Sequence, residues 1–323
     1  MEIDVLVVTS RAYSHRKIAK RLIDNYFNPN GISSIHLKIT DDVPIDFTFK
    51  HGLFIITLDR FSLASIVKFF PLVKYKYLYV TLEGIPILDK YSYEVLKHVD
   101  VIIANSEYTR DITETFFNIN VDKVVRHEAW TVKPDIKLLN ELYRWKGDKK
   151  MVLWVSTNQH RKGFDKLAEV TRHVAELDDN IVFRVVTGLG EVNLKALGFS
   201  GNTYLDIRIE SLSEEELASY YIASDVVIST SYCEGFGMTI NEALAYGKKV
   251  LTPRYRPFTE YVWNTVPVRK VYYVNYLNYM LMEYHDYSTR LFAKKLIDTV
   301  YSDEKCGEAV INTYGEFLKI LEK

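Results

Sequence analysis

Short β-branched runs alternate with helical patterns along most of this chain, and that alternation limits the possible folds more than any other feature. Ile3–Thr9 is continuously apolar or β-branched, as a strand covered on both faces would be. The basic, amphipathic stretch Ser14–Tyr26 follows it as a helix. Leu53–Leu58 and Tyr77–Leu82 read as further strands, Tyr91–His98 as a helix, Val101–Ala104 as a strand and Arg110–Phe117 as a helix. Pro134–Lys150 is charged and has no strand pattern, so it reads as a linker. A second alternation then begins. Met151–Val155, Ile181–Thr187, Thr203–Ile209, Asp225–Ser229 and Lys249–Thr252 are strand-like, and Phe164–Glu176 and Ser213–Ala223 are helical. Ser213 stands at the N-cap, with Glu216 at the capping-box position. Arg290–Lys323 reads as strongly helical. Strands alternating with helices predict parallel sheets, and 323 residues suit two domains better than one. The expected domains are 1–140 and 141–300, with a C-terminal helix over 301–323 that can return to the first.

Composition excludes several classes of function. The net charge is -1, so no global field draws the chain to nucleic acid or to a membrane. Cys233 and Cys306 are too few for a disulfide framework and fit a reducing cytoplasm. The start of the chain lacks the basic opening of a signal peptide, and no apolar run reaches the ~18 residues of a membrane span. Arg60–Tyr79 is apolar and aromatic, with Lys68, Lys74 and Lys76 interspersed. A buried helix followed by a strand is the favoured reading there, and a peripheral membrane contact is the alternative. The eight histidines show no metal-ligand spacing.

Tyr232–Pro253 carries the strongest chemical signal. It places a glycine-containing turn between the strand at Asp225–Ser229 and a helix from Met238 to Tyr246, with Gly247 at its end. The N–H groups of Gly235, Phe236 and Gly237 can converge on one anion, because two of these residues have no side chain in the way. Glu234 and Glu242 cannot favour that anion, so they should accept hydrogen bonds from neutral hydroxyls. A ligand with phosphate in its middle and hydroxyls at both ends is a nucleotide sugar. Taken alone, the pair also describes a glycine-rich turn with Glu242 near a helix N-terminus. Arg161 and Lys162 follow the Met151–Val155 strand and could neutralise a diphosphate; taken alone, they describe solvated loop charges.

Ser231–Gly247 resembles the signature of retaining GT-B glycosyltransferases, family 4 above all, which reads P-S-x-x-E-G-F-G-x-x-x-x-E-A-x-A-x-G. The match runs through Glu234, Gly235, Phe236, Gly237, Glu242, Ala243, Ala245 and Gly247. The resemblance implies an α/β chain of the GT-B type, with two doubly wound Rossmann-like domains and the donor bound by the C-terminal half. It implies transfer of a sugar, a hexose by analogy, from a nucleotide-diphosphate sugar to an acceptor hydroxyl with retention. No cofactor or metal beyond that co-substrate is implied. Glu234 would meet the donor-sugar hydroxyls and Glu242 the ribose diol. Lys162, in Lys162-Gly163, is similar to the family lysine that binds the diphosphate. Where the family has an arginine a few residues earlier, this chain has Ser156, Thr157 and Asn158. Arg161, or the donors of Ser156 and Asn158, would have to supply that contact. Gly188 opens a Gly-Leu-Gly turn similar to the family's, and Glu210–Leu212 would border the base.

In the first half, Thr81-Leu82-Glu83-Gly84 resembles a family turn that carries histidine where Glu83 stands, which gives Glu83 a site role; a solvent-exposed loop glutamate is the equal alternative. The loop Ser10–Lys17 lacks the family's glycines but places Arg11 and Arg16 at a helix start, where an acceptor phosphate or the donor diphosphate could bind; a basic solvated helix face is the equal alternative. The acceptor, whether glycan, lipid or protein, is not legible. A non-catalytic sugar-nucleotide-binding protein on the same fold is the alternative.

Overall fold

The computed structural model describes residues 2–43, 47–156, 160–188, 198–206 and 212–322. Contacts cluster into two compact units. One comprises residues 1–128, 273–282 and 312–323, and the other residues 129–272 and 283–311.

In the first unit, β1 (Glu2–Thr9) leads into α1 (Tyr13–Leu22), and β2 (Ser34–Lys38) and β3 (Thr48–Thr57) follow. Next come α2 (Arg60–Ile66), β4 (Val73–Thr81), the short β5 (Gly84–Pro86), α3 (Lys90–Leu96), β6 (Val101–Ala104), α4 (Glu107–Phe117) and β7 (Lys123–Val124). The main sheet has the order β2-β1-β3-β4-β6-β7, and every pair in it is parallel. Val5, Leu6, Val7 and Val8 of β1 are all buried, which explains the unbroken apolar run. Asp59, Asp89 and Ser106 cap α2, α3 and α4 through their side chains. Arg60–Tyr79 forms α2, a 3-10 turn and β4, with Leu63, Ile66, Phe69 and Leu78 fully buried, as the favoured reading expected.

The second unit contains α5 (Ile136–Lys146), β8 (Lys150–Val155), α6 (Phe164–Ala175), β9 (Ile181–Val186), β10 (Thr203–Asp206), α7 (Glu214–Ala223), β11 (Val226–Ile228), α8 (Met238–Ala245), β12 (Lys249–Pro253) and β13 (Thr265–Val266). Its sheet runs β10-β9-β8-β11-β12-β13, again parallel throughout. Counted within the unit, that is the doubly wound order 3-2-1-4-5-6. Alternation along β8 divides the core. Met151, Leu153 and Val155 face a cluster with Leu142, Tyr221, Ile240 and Ala243, while Val152 and Trp154 face one with Phe164, Leu167, Phe292 and Leu296.

Two expectations require correction. The segment read as a linker holds α5, capped by Asp135, with Leu138, Leu139, Leu142 and Trp145 turned to the core. The C-terminal stretch is not one helix: α9 (Thr289–Tyr301) ends at Ser302, and only Gly315–Leu321 (α10) is helical again. The sequence reading also missed a hairpin, β14 (Val268–Tyr276) and β15 (Met280–Tyr287), which with β5 makes a sheet in the order β14-β15-β5. Gly84 permits the β5–β15 approach, since a Cβ there would lie 2.3 Å from the Leu281 carbonyl oxygen.

Candidate functional site

The strand order of the second unit reverses direction between β8 and β11, which pair directly through Val226↔Val152 and Val227↔Leu153. Ligands of open α/β sheets bind beyond the carboxyl ends of the strands at such a switch point. The loops that leave these two strands carry the second-unit residues singled out by sequence around Glu234. After β8 come Ser156, a 3-10 turn at His160–Lys162 and then Gly163, which opens α6. After β11 comes Ser229–Gly237, which opens α8.

The two loops are locked together through their main chains. Tyr232 N–H donates to the Arg161 carbonyl at 2.9 Å. Trp154 Nε1 donates to Thr230 Oγ1 at 3.0 Å, and that hydroxyl donates to the Gly163 carbonyl at 2.9 Å. Gly163 has φ +64°, and a Cβ there would sit 1.9 Å from the Thr230 carbonyl oxygen. Gly237 has φ +88°, and a Cβ there would sit 2.4 Å from the Phe258 ring. Glycine is therefore required at both helix entries, for conformation and for space.

Buried tyrosines brace the second loop from outside. Tyr287 donates to the Thr230 carbonyl at 2.7 Å, Tyr255 to the Ser231 carbonyl at 3.0 Å, and Tyr261 to the Phe236 and Gly237 carbonyls at 2.7 and 3.0 Å. Burial pushes all of these phenols well up, and the Glu234 charge adds to the effect at Tyr255 and Tyr261, so they remain donors. The His285 N–H donates to the Tyr232 carbonyl at 3.0 Å. The sequence reading found none of these braces, because a phenol meeting a distant carbonyl leaves no local pattern.

Inside this frame Glu234 is buried, with 8% of its surface exposed. Lys162 Nζ lies 2.7 Å from Glu234 Oε1 and 2.8 Å from Oε2. Arg161 Nη1 approaches Oε2 at 3.4 Å, and Ser231 Oγ donates to Oε1 at 2.7 Å. Burial would raise the Glu234 carboxyl. The charges of Lys162 and Arg161, with the Lys162 and Ser231 hydrogen bonds, outweigh it and hold the group below its ordinary range. Two cations around one carboxylate leave this cluster with one net positive charge. Arg161 and Lys162 are thus partly buried and paired, and the reading of solvated loop charges does not hold.

The remaining sequence candidates are placed as follows. Gly235 and Gly237 are buried main-chain positions of the same loop, and the Phe236 side chain stacks on Tyr261 with centroids 5.1 Å apart. Glu242 lies in α8, 4% exposed, and accepts from the Tyr221 hydroxyl at 3.1 Å. Gly247 takes φ +71° just past the helix, as its expected role requires. Ser213 and Glu216 form the expected capping box. Ser156 and Gly188 are half-buried and follow β8 and β9. Asn158 and Glu210 lie outside the described residues. Glu83, Arg11 and Arg16 belong to the first unit, where Glu83 is half-buried between β4 and β5, Arg11 is exposed and Arg16 lies over the Tyr13 ring. Cys233 and Cys306 are both buried and form no disulfide. Among the described residues no group of His, Cys, Asp and Glu is placed to hold a metal ion, and no helix is long and apolar enough to cross a membrane.

With this geometry in place, comparison with known proteins adds the following. Residues 136–276 match the family described as Glycosyl transferases group 1. None of the curated proteins matches the chain in sequence. Solved structures share the whole GT-B-type fold at low identity. A glycosyltransferase from Rickettsia africae is 14% identical with a TM-score of 0.70, over 99% of this chain and 98% of that one. HepE of Anabaena, solved with UDP and glucose, is 12% identical with a TM-score of 0.67, over 99% of each chain. Sucrose-phosphate synthase from Thermosynechococcus elongatus is 12% identical with a TM-score of 0.65, over 98% of this chain and 94% of that one.

Proposed function

We propose that this protein is a retaining, family 4-like glycosyltransferase that moves a sugar, a hexose by analogy, from a nucleotide-diphosphate sugar to an acceptor hydroxyl. The observation that carries the reading is the Glu234–Lys162–Arg161 cluster, seated beyond the carboxyl ends of β8 and β11 and buried at the entry of two helices. The group 1 match covers these loops. The UDP and glucose held by the Anabaena relative are the ligand chemistry we carry over.

In this reading the diphosphate lies against Lys162, Arg161 and the main chain of Gly235, Phe236 and Gly237 at the start of α8, and Ser156, Asn158 and Gly188 are further donor-binding residues. Fixed cations and amides there stabilise the charge that develops as the glycosidic bond breaks. Glu234 accepts from the sugar hydroxyls, and Glu242 from the ribose diol. The first unit is the acceptor side, with Glu83 orienting the sugar and Arg11 and Arg16 receiving an anionic group. The only co-substrate is the nucleotide sugar; no metal or cofactor has a part. Two buried, unbridged cysteines suit a reducing compartment, and we place the reaction in the cytoplasm.

The direct test is a thermal-shift panel of UDP-, GDP- and ADP-sugars, since a ligand of the folded state raises the melting temperature with its affinity. One of them should stabilise the protein, and Glu234→Ala should abolish transfer with the fold intact. Wild-type transfer rates in Glu234→Ala would remove that residue from the site. Donor binding without turnover on any acceptor would favour a sugar-nucleotide sensor instead.

A further inference from the structure

An ionised carboxylate offers about four lone-pair sites. On Glu234 all four are taken: Oε1 by Lys162 and Ser231, Oε2 by Lys162 and Arg161. A sugar hydroxyl can therefore be accepted only after a present partner leaves. Ser231 sits three residues away in the same braced loop, and its hydroxyl is held there, since it also accepts from Ser229 Oγ at 3.1 Å while Tyr255 holds its carbonyl. The exchangeable partners are the cations. A diphosphate carries more charge than one carboxylate and has several acceptor oxygens, so it is the ligand chemistry able to draw Lys162 and Arg161 away.

We propose that Glu234 is the resident counter-ion of the anion site, and that a diphosphate displaces it from Lys162 and so frees the carboxylate for the sugar. This rests on the donor-site reading above and adds an order to it. An anion alone must compete with Glu234, and a neutral sugar alone meets a carboxylate already saturated. Joined in one ligand, each half opens the place of the other, so the two halves bind with positive coupling. The exchange also keeps Lys162 and Arg161 paired in the empty site, where a buried unpaired charge would destabilise the fold. The site then discriminates against orthophosphate and free sugars without any steric gate.

The test uses inorganic pyrophosphate as probe, titrated calorimetrically into the full chain. Glu234→Gln removes the competitor but keeps the shape, and it should bind pyrophosphate about tenfold or more tighter than wild type. Lys162→Met should weaken the same binding, which shows that the probe occupies this site. Should Glu234→Gln not fold, Ser231→Ala carries the test. It loosens the carboxylate's seat and should tighten pyrophosphate binding about threefold, whereas a merely structural role would weaken it. Equal or weaker pyrophosphate binding by Glu234→Gln, or by Ser231→Ala in its place, with a nucleotide sugar still stabilising wild type, would overturn the exchange and leave the donor site standing. Failure of every nucleotide sugar to bind wild type would overturn the reading beneath both.

Discussion

Replacing Gly163 by alanine tests the frame on which the site depends. The new Cβ would lie 1.9 Å from the Thr230 carbonyl oxygen and 2.7 Å from its carbon, both main-chain atoms that cannot swing away. The backbone at φ +64° adds a conformational cost of about 1–2 kcal/mol for any L side chain. Relief requires the Ser229–Tyr232 loop to retreat, which breaks the 2.9 Å bond from Thr230 Oγ1 to Gly163 and strains the 2.7 Å bond from Tyr287. A buried hydrogen bond left half-made costs about 1–3 kcal/mol, so the expected destabilisation is about 2–5 kcal/mol. Gly247→Ala is the matched control, with φ +71° and nothing within 4 Å of the added Cβ, so it bears the conformational cost alone. Urea unfolding of both variants measures the difference at constant slope. Gly163→Ala should be the less stable by about 1–3 kcal/mol and should also lose pyrophosphate binding. Stabilities within about 0.5 kcal/mol of each other would refute the close approach of the two loops.

Further outcomes are expected from the rest of the molecule. Burial depresses the side chains of His15 and His127 to about 4 and about 3, against an unfolded value near 6.5. Below pH ~6.5 the unfolded chain takes up protons that the native state refuses, so stability present above that pH is lost as pH falls through both folded values. Urea midpoints at pH 7.5 and 5 should reveal a loss of up to about 4 kcal/mol, and identical midpoints would show that these rings are not buried as described. Lys162→Met leaves Glu234 with Arg161 as its one cation in this cluster and should cost about 3 kcal/mol. Adding Glu234→Gln should restore part of that, and strict additivity in the cycle would deny the pair. Tyr255→Phe strips the buried Ser231 carbonyl of its phenol and should cost about 1–2 kcal/mol in the same unfolding assay.

The sequence disclosed most where local physics decides the outcome. β1 and β8 are buried on both faces, so their β-branched runs had one reading. Ser213, Glu216 and Gly247 announced their helix ends because caps act within a single turn. The motif put Glu234 in the turn between a strand and a helix and Glu242 on that helix, and they lie in the loop after β11 and in α8. Legibility failed where charge concealed an apolar stripe, as in α5, whose Leu138, Leu139, Leu142 and Trp145 are interleaved with Lys and Arg. It failed at β14, where Arg269, Lys270 and Val271 are successively exposed, and where the alternation of burial from Val271 to Asn275 runs through Val and Tyr on both faces and so leaves no apolar-polar pattern. It failed for the mutual saturation of Glu234, Lys162, Arg161 and Ser231, since ion pairs across 72 residues depend on which loops the sheet order makes neighbours.

The chain leaves and re-enters the first unit before that unit is finished, at residues 128/129, 272/273, 282/283 and 311/312. Some of what completes it arrives very late: Leu281 for β5, and Tyr314, whose N–H meets Glu128 at 2.8 Å. On the ribosome, residues 1–128 must therefore wait through most of synthesis with part of their structure still missing. A gene cut after Glu128 would leave its first product without residues 273–282 and 312–323 of its own unit, and that product would come to rest only when expressed beside the second.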